Sequence, residues 1–161
     1  MAGAALRELI ALLSCGDESG EALEALAVQV EAAERDPELA FMAELDADAA
    51  WYRAVALQFA LADYTVCSDK IDELHEQIDD QFSEPLPEFP EVFRGEPVDA
   101  YFIWLDEQLA ERGTDRGGYR LLIFETGLSD ELIAFVVLRR DLPRILALAS
   151  ALELRMAPAA P

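Results

Sequence analysis

Asp72, His75 and Asp79 stand at i, i+3 and i+7 in the charged segment 69–80, a spacing that lines three side chains along one face of a helix. A carboxylate followed three residues later by a histidine is the step that di-metal helical bundles use. Those bundles need a second copy on another helix, and the chain has a single histidine. The same count limits nucleophilic chemistry, because a serine or cysteine nucleophile needs a base within hydrogen-bond reach, and an expected strand-to-helix turn separates Cys67 from His75. Gly113, Gly117 and Gly118 do not follow a strand and open a helix, as a phosphate-cradling loop requires. Among 33 acidic residues no spacing selects a carboxylate pair with divergent proton affinities. The residue types thus point away from an enzyme, and no cofactor or metal is expected. A carboxylate metal site around His75 is the enzymatic alternative.

What the chain has in excess is negative charge, −21 overall, and the charge is unevenly spread. Residues 1–61 carry 12 acids and 3 bases, residues 62–111 carry 15 and 2, and residues 112–161 carry 6 and 7. A field of that sign repels nucleic acid and anionic lipid and speeds encounter with a basic partner. The expected function is therefore a non-enzymatic protein-binding module that engages a basic protein, as an immunity protein or inhibitor neutralising a toxin does; the analogy is one of charge and size. The expected contacts are Asp72, Glu76, Asp79, Asp80, Glu88 and Glu91, with Trp104, which sits off the apolar stripe of its helix, as an anchor. The alternative is a housekeeping or regulatory domain whose acidity serves solubility. The arginines at 112, 116, 120, 139, 140 and 144 make the last third locally basic, and pairing with the protein's own acids is their expected role.

The elements that must position these residues are mostly helical. Leu6, Leu9, Ile10 and Leu13 recur at helical spacing before Cys15-Gly16-Asp17 stops the pattern. A second helix starts at Ser19, a brief third spans 37–45, and Asp46 is the expected N-cap of a fourth over 49–61, whose apolar residues Trp51, Val55, Leu57, Phe59 and Leu61 ring the wheel and predict a core helix. Residues 64–67 read as a short strand. Ser68 or Asp69 then caps a helix through Phe82 that buries Ile71, Leu74, Ile78 and Phe82 and turns everything else to water. Prolines at 85, 87, 90 and 97 predict an extended loop over 83–97, with Leu86, Phe89, Val92 and Phe93 interleaved among acids. The next helix, 98–111, stripes Val98, Phe102, Leu105 and Leu109.

Two dense apolar runs, 119–125 and 132–138, flank Thr126-Gly127-Leu128-Ser129-Asp130 and predict a β-hairpin. The second run is apolar on both alternating faces, so it should lie between two layers, or permit a dimer if one sheet face lacks a helical cover. Asp141 and Pro143 open a last helix, 142–152. The expected fold class is α+β, with about six helices on a small, mostly antiparallel sheet centred on the C-terminal hairpin, in a single domain over 1–161.

Cys15 and Cys67, in no metal or redox spacing, are expected as idle thiols. The longest apolar stretch, 51–62, is broken by Arg53 and Gln58 and is too short to span a bilayer, and Arg7 and Glu8 interrupt the apolar N-terminus where a signal peptide would run clean; a cytoplasmic protein is expected. The arginine-rich, alanine-rich composition suits a bacterial source. Residues 100–154, through Trp104-Leu105-Asp106, Tyr119-Arg120-Leu121-Leu122 and Thr126-Gly127-Leu128-Ser129-Asp130-Glu131, resemble an uncharacterised family of small bacterial proteins. That resemblance implies the helix, hairpin, helix ending and no activity.

Overall fold

The computed structural model describes residues 2–161, leaving only Met1 outside. The element order is α1 (Ala2–Leu13), α2 (Gly20–Glu31), a 3-10 segment (Pro37–Leu45), α3 (Ala49–Ala60), β1 (Thr65–Ser68), α4 (Ile71–Asp79), α5 (Val98–Ala110), β2 (Tyr119–Glu125), β3 (Leu132–Leu138), α6 (Leu142–Ala151) and β4 (Arg155–Pro158). The four strands form one antiparallel sheet in the order β1-β3-β2-β4. The fold is α+β, with the predicted hairpin at the sheet's centre.

Strand alternation explains the layering, because successive side chains of a strand point to opposite faces. Ile133, Phe135 and Val137 of β3 join Leu122 and Phe124 of β2 in one apolar cluster with the buried faces of α1, α2, α3 and α6. Ala134 and Val136 join Leu121 in a second cluster with Leu74 and Ile78 of α4 and Tyr101, Leu105 and Leu109 of α5. Both faces of β3 are thereby covered, and the uncovered face that a dimer would need is absent. At the start of the chain, Leu6, Leu9, Ile10 and Leu13 are buried as their spacing predicts. Cys15 and Gly16 then take left-handed backbone, and the Gly16 N–H closes on the Ala11 carbonyl at 2.9 Å, ending α1.

Several boundaries differ from expectation for local reasons. Asp46 does not cap α3: it takes φ 53° to turn the chain out of the 3-10 segment, a conformation that short polar side chains tolerate, and Asp48 caps instead, accepting from the Trp51 N–H at 2.8 Å. Phe59 of α3 is exposed, because the helix rests on its neighbours through Ala54, Val55, Ala56 and Leu57. Val98 likewise faces out, and Tyr101 takes its place in the α5 stripe. Ser68 turns back on Lys70, whose N–H it accepts at 3.0 Å, so neither Ser68 nor Asp69 occupies the cap of α4. That helix ends at Asp79 and unwinds through single turns to Phe82.

Two joints fix the α4–α5 layer to the sheet. A side chain on Gly118, at φ 83°, would stand 2.6 Å from the Ala110 carbonyl, so the end of α5 and the start of β2 meet backbone against backbone. On the outer margin of β1, the Cys67 N–H donates to Gln77 Oε1 and the Gln77 amide donates back to the Cys67 carbonyl, both at 2.8 Å. The side chain of Gln77 thereby occupies the place of a further strand.

Candidate functional site

The layer of α4 and α5 carries the acidity. With Leu74 and Ile78 turned to the sheet, the helical period sends Glu73, Glu76 and, just past the helix end, Asp80 outward. On α5 the same logic exposes Asp99, Ile103, Glu107 and then Glu111. The two bases of residues 62–111 are both occupied: Lys70 pairs with Glu73 at 2.8 Å, and Arg94 bridges Asp72 and Glu91, each at 2.7 Å. Among the described residues Glu76, Asp80, Glu84, Glu88, Glu107 and Glu111 form no ion pair. Hydrogen bonding to Arg94 holds the carboxyls of Asp72 and Glu91 below their ordinary values, so both are ionised at neutral pH.

The seven expected contact residues thus separate into two groups. Glu76, Asp80 and Glu88 are exposed and unpaired. Asp72 and Glu91 share the single charge of Arg94, and Asp79 is turned to the proline loop, where it accepts from the Leu86 N–H. Trp104 is not a free anchor. Its ring lies 6.0 Å from those of Phe93 and Tyr101 and 5.8 Å from His75, half-buried under the loop it helps to hold. The α5 carboxylates Asp99, Glu107 and Glu111 were not among the expected contacts. Their spacing on the face opposite Phe102, Leu105 and Leu109 is the signal that identifies them.

His75 corrects the expectation that everything outside the apolar stripe of α4 faces water. It is 3% exposed, its Nδ1 lies 3.0 Å from the Tyr101 hydroxyl and its Nε2 2.9 Å from the Pro87 carbonyl. The carbonyl can only accept, so Nε2 carries the proton and Nδ1 accepts from Tyr101. Both nitrogens are therefore committed to the fold, and Asp72 and Asp79 are engaged elsewhere. No group of three or more His, Cys, Asp or Glu among the described residues could hold a metal ion. Leu86, Phe89 and Phe93 pack onto this cluster, while Arg112 donates to the carbonyls of Glu84 and Pro85. Of the loop's apolar residues Leu86, Phe89, Val92 and Phe93, only Val92, 74% exposed, is turned away from the cluster.

Most of the basic residues of the last third stay inside the molecule's own bonding, Arg155 being without an ion pair among the described residues. Arg144 pairs with Glu8 at 2.6 Å, and Arg139 with Asp106 at 2.8 Å. Arg120 Nε lies 3.2 Å from Asp106, close enough for charge attraction but not aligned for a hydrogen bond. Arg112 and Arg116 instead serve backbone carbonyls. The two cysteines are free thiols, and burial together with a hydrogen bond to Glu131 pushes Cys67 up to about 11.

Residues 5–159 match a family described as a domain of unknown function, DUF6630. The chain belongs to this family. The match runs from α1 to β4, well beyond the 100–154 stretch that carried the resemblance, and so takes in the acidic α4–α5 layer as well as the sheet. No curated protein and no solved structure matches the chain. No helix among the described residues is long and apolar enough to cross a membrane.

Proposed function

We propose that this DUF6630 protein is a docking module that binds a basic protein through the outer face of α4 and α5, in the manner of an immunity protein or inhibitor. The observation that carries the reading is the pair of acidic ridges, Glu76-Asp80 and Asp99-Glu107-Glu111, in one layer where the two bases of residues 62–111 are already paired with other acids. Five arginines of the last third, at 112, 116, 120, 139 and 144, are spent on Asp106, Glu8 and backbone carbonyls and leave these ridges uncompensated. Unpaired carboxylates on a firmly held layer steer a cationic partner and lose little entropy on binding it. Ile103 and Val92, exposed among these acids, supply apolar contact.

The test is capture from a lysate of the native host at about 50 mM salt with elution at about 500 mM, a range over which screening shortens severalfold. One basic protein should elute, and it should be lost when Glu76, Asp80, Glu107 and Glu111 are changed together to Gln. Capture of the same protein by the neutralised variant sinks the reading.

A further inference from the structure

Arg94 is the one arginine of residues 62–111, and its guanidinium shows what the acidic layer can hold. Its Nε and Nη2 donate to the two carboxylate oxygens of Glu91 at 2.7 and 3.1 Å, and its Nη1 donates to Asp72 Oδ2 at 2.7 Å. The planar group also lies over the Phe89 ring, 5.6 Å from its centroid. A fork on one carboxylate, a second carboxylate at its side and an aromatic ring beneath are contacts that a guanidinium makes better than an ammonium does. The groups that receive Arg94 have other supports. Asp72 Oδ1 accepts from the Glu73 N–H at 3.1 Å in the first turn of α4. Glu91 stands between Phe89 and Phe93, whose rings lie 5.4 and 6.2 Å from that of Tyr101.

Arg94 itself is loosely held. Its side chain is 53% exposed, and ion pairs at such exposure contribute little, because water and salt compete for both charges. A guanidinium arriving from outside meets the same three contacts and has only to displace the one already there. Resting on the reading of the α4–α5 layer as the face for a basic protein, we propose that Arg94 is an internal stand-in for an arginine of that partner. In the free protein it occupies Asp72, Glu91 and the Phe89 ring; it swings out when the partner's guanidinium takes its place. The contact is autoinhibitory: it weakens every cationic encounter at this spot and favours a partner segment that carries arginine over one that carries lysine.

The test titrates the full chain into dye-labelled hexa-arginine and hexa-lysine peptides at about 50 mM salt, with fluorescence anisotropy as the readout. Arg94→Gln should bind hexa-arginine about threefold or more tightly than Lys70→Gln, which has the same net charge and frees Glu73 instead. The gain should be smaller for hexa-lysine, and it should vanish when both variants also carry Asp72→Asn. Arg94 and Lys70 are exposed, so the variants should fold, and circular dichroism checks it. In the unmodified protein the Arg94 Nε–H resonance, assigned against Arg94→Gln, should shift as hexa-arginine is added. The proposal is overturned if Arg94→Gln binds neither peptide, if it binds hexa-arginine no tighter than Lys70→Gln does, if both peptides gain equally, or if the Arg94 resonance stays in place at saturation. The docking reading fails separately, when the variant with Glu76, Asp80, Glu107 and Glu111 changed to Gln binds both peptides like the parent; the comparison at Arg94 still decides this proposal.

Discussion

Tyr101→Phe isolates one hydroxyl whose role the structure defines. Tyr101 is fully buried, and its hydroxyl has one partner, His75 Nδ1, at 3.0 Å. Removing the hydroxyl leaves that nitrogen buried and unsatisfied with no room for water, which costs about 1–2 kcal/mol. For a chain of this length the corresponding fall in Tm is roughly 2–8 °C. His75→Leu removes the other partner, frees the Pro87 carbonyl and strips a ring from the contacts with Phe89 and Trp104, so it should cost more, about 2–4 kcal/mol. The double variant removes both members of the pair, and its loss should fall short of the summed single losses by about 1 kcal/mol. Urea unfolding of the four proteins, followed by Trp104 fluorescence and far-ultraviolet dichroism, measures the cycle. Strict additivity, or Tyr101→Phe as stable as the parent, would refute the reasoning that this hydrogen bond ties α5 to α4 through His75, whose other nitrogen holds the proline loop.

Gly118→Ala should destabilise by about 2 kcal/mol or more in the same assay, because the added carbon meets the Ala110 carbonyl and the backbone there is left-handed. Glu131→Gln should speed alkylation of Cys67 at neutral pH: burial raises the thiol first, and the hydrogen bond and charge of Glu131 raise it further, so removing the charge enlarges the thiolate fraction. Burial and the Glu18 carboxylate push Tyr64 up to about 12, and burial raises Tyr101 as well, from an ordinary value of 10.0. A raised folded value contributes stability below the unfolded value, so unfolding free energy should hold up to pH 10 and decline from there toward pH 12. A Tyr64→Phe, Tyr101→Phe variant should show a shallower decline in a pH series of urea titrations.

The hairpin was legible to the residue because 119–125 and 132–138 are unbroken apolar runs around a turn, and the doubly apolar pattern of β3 correctly placed it between two layers. β4 was not legible. Arg155-Met156-Ala157-Pro158 has no alternation and ends in proline, and it is a strand only because β2 offers an open margin to it. The candidate site was half legible. Charge counting located the acidic layer, but which acids are spent on Arg94 or on the loop depends on where 83–97 folds back, which no local pattern specifies. His75 shows the nearer miss: with Ile71, Leu74 and Ile78 it completes an i, i+3, i+4, i+7 set, and that spacing marks it as facing inward. The cavity between the start of α3, the β2–β3 turn and the α6–β4 turn draws on three separate segments and leaves no trace in any one of them.

The amide of Gln77, bound to both backbone groups of Cys67, gives the sheet a terminus. A sheet grows by offering free donors and acceptors to the next chain, and on this side the first such pair is already saturated by a side chain that cannot propagate the ladder. The opposite margin is only four residues long and closes on Pro158, which has no N–H to give. Strand exchange between copies is thereby discouraged on either side at little expense in apolar surface, so concentrated solutions of the protein should resist fibrillar growth for reasons of backbone chemistry as well as of charge.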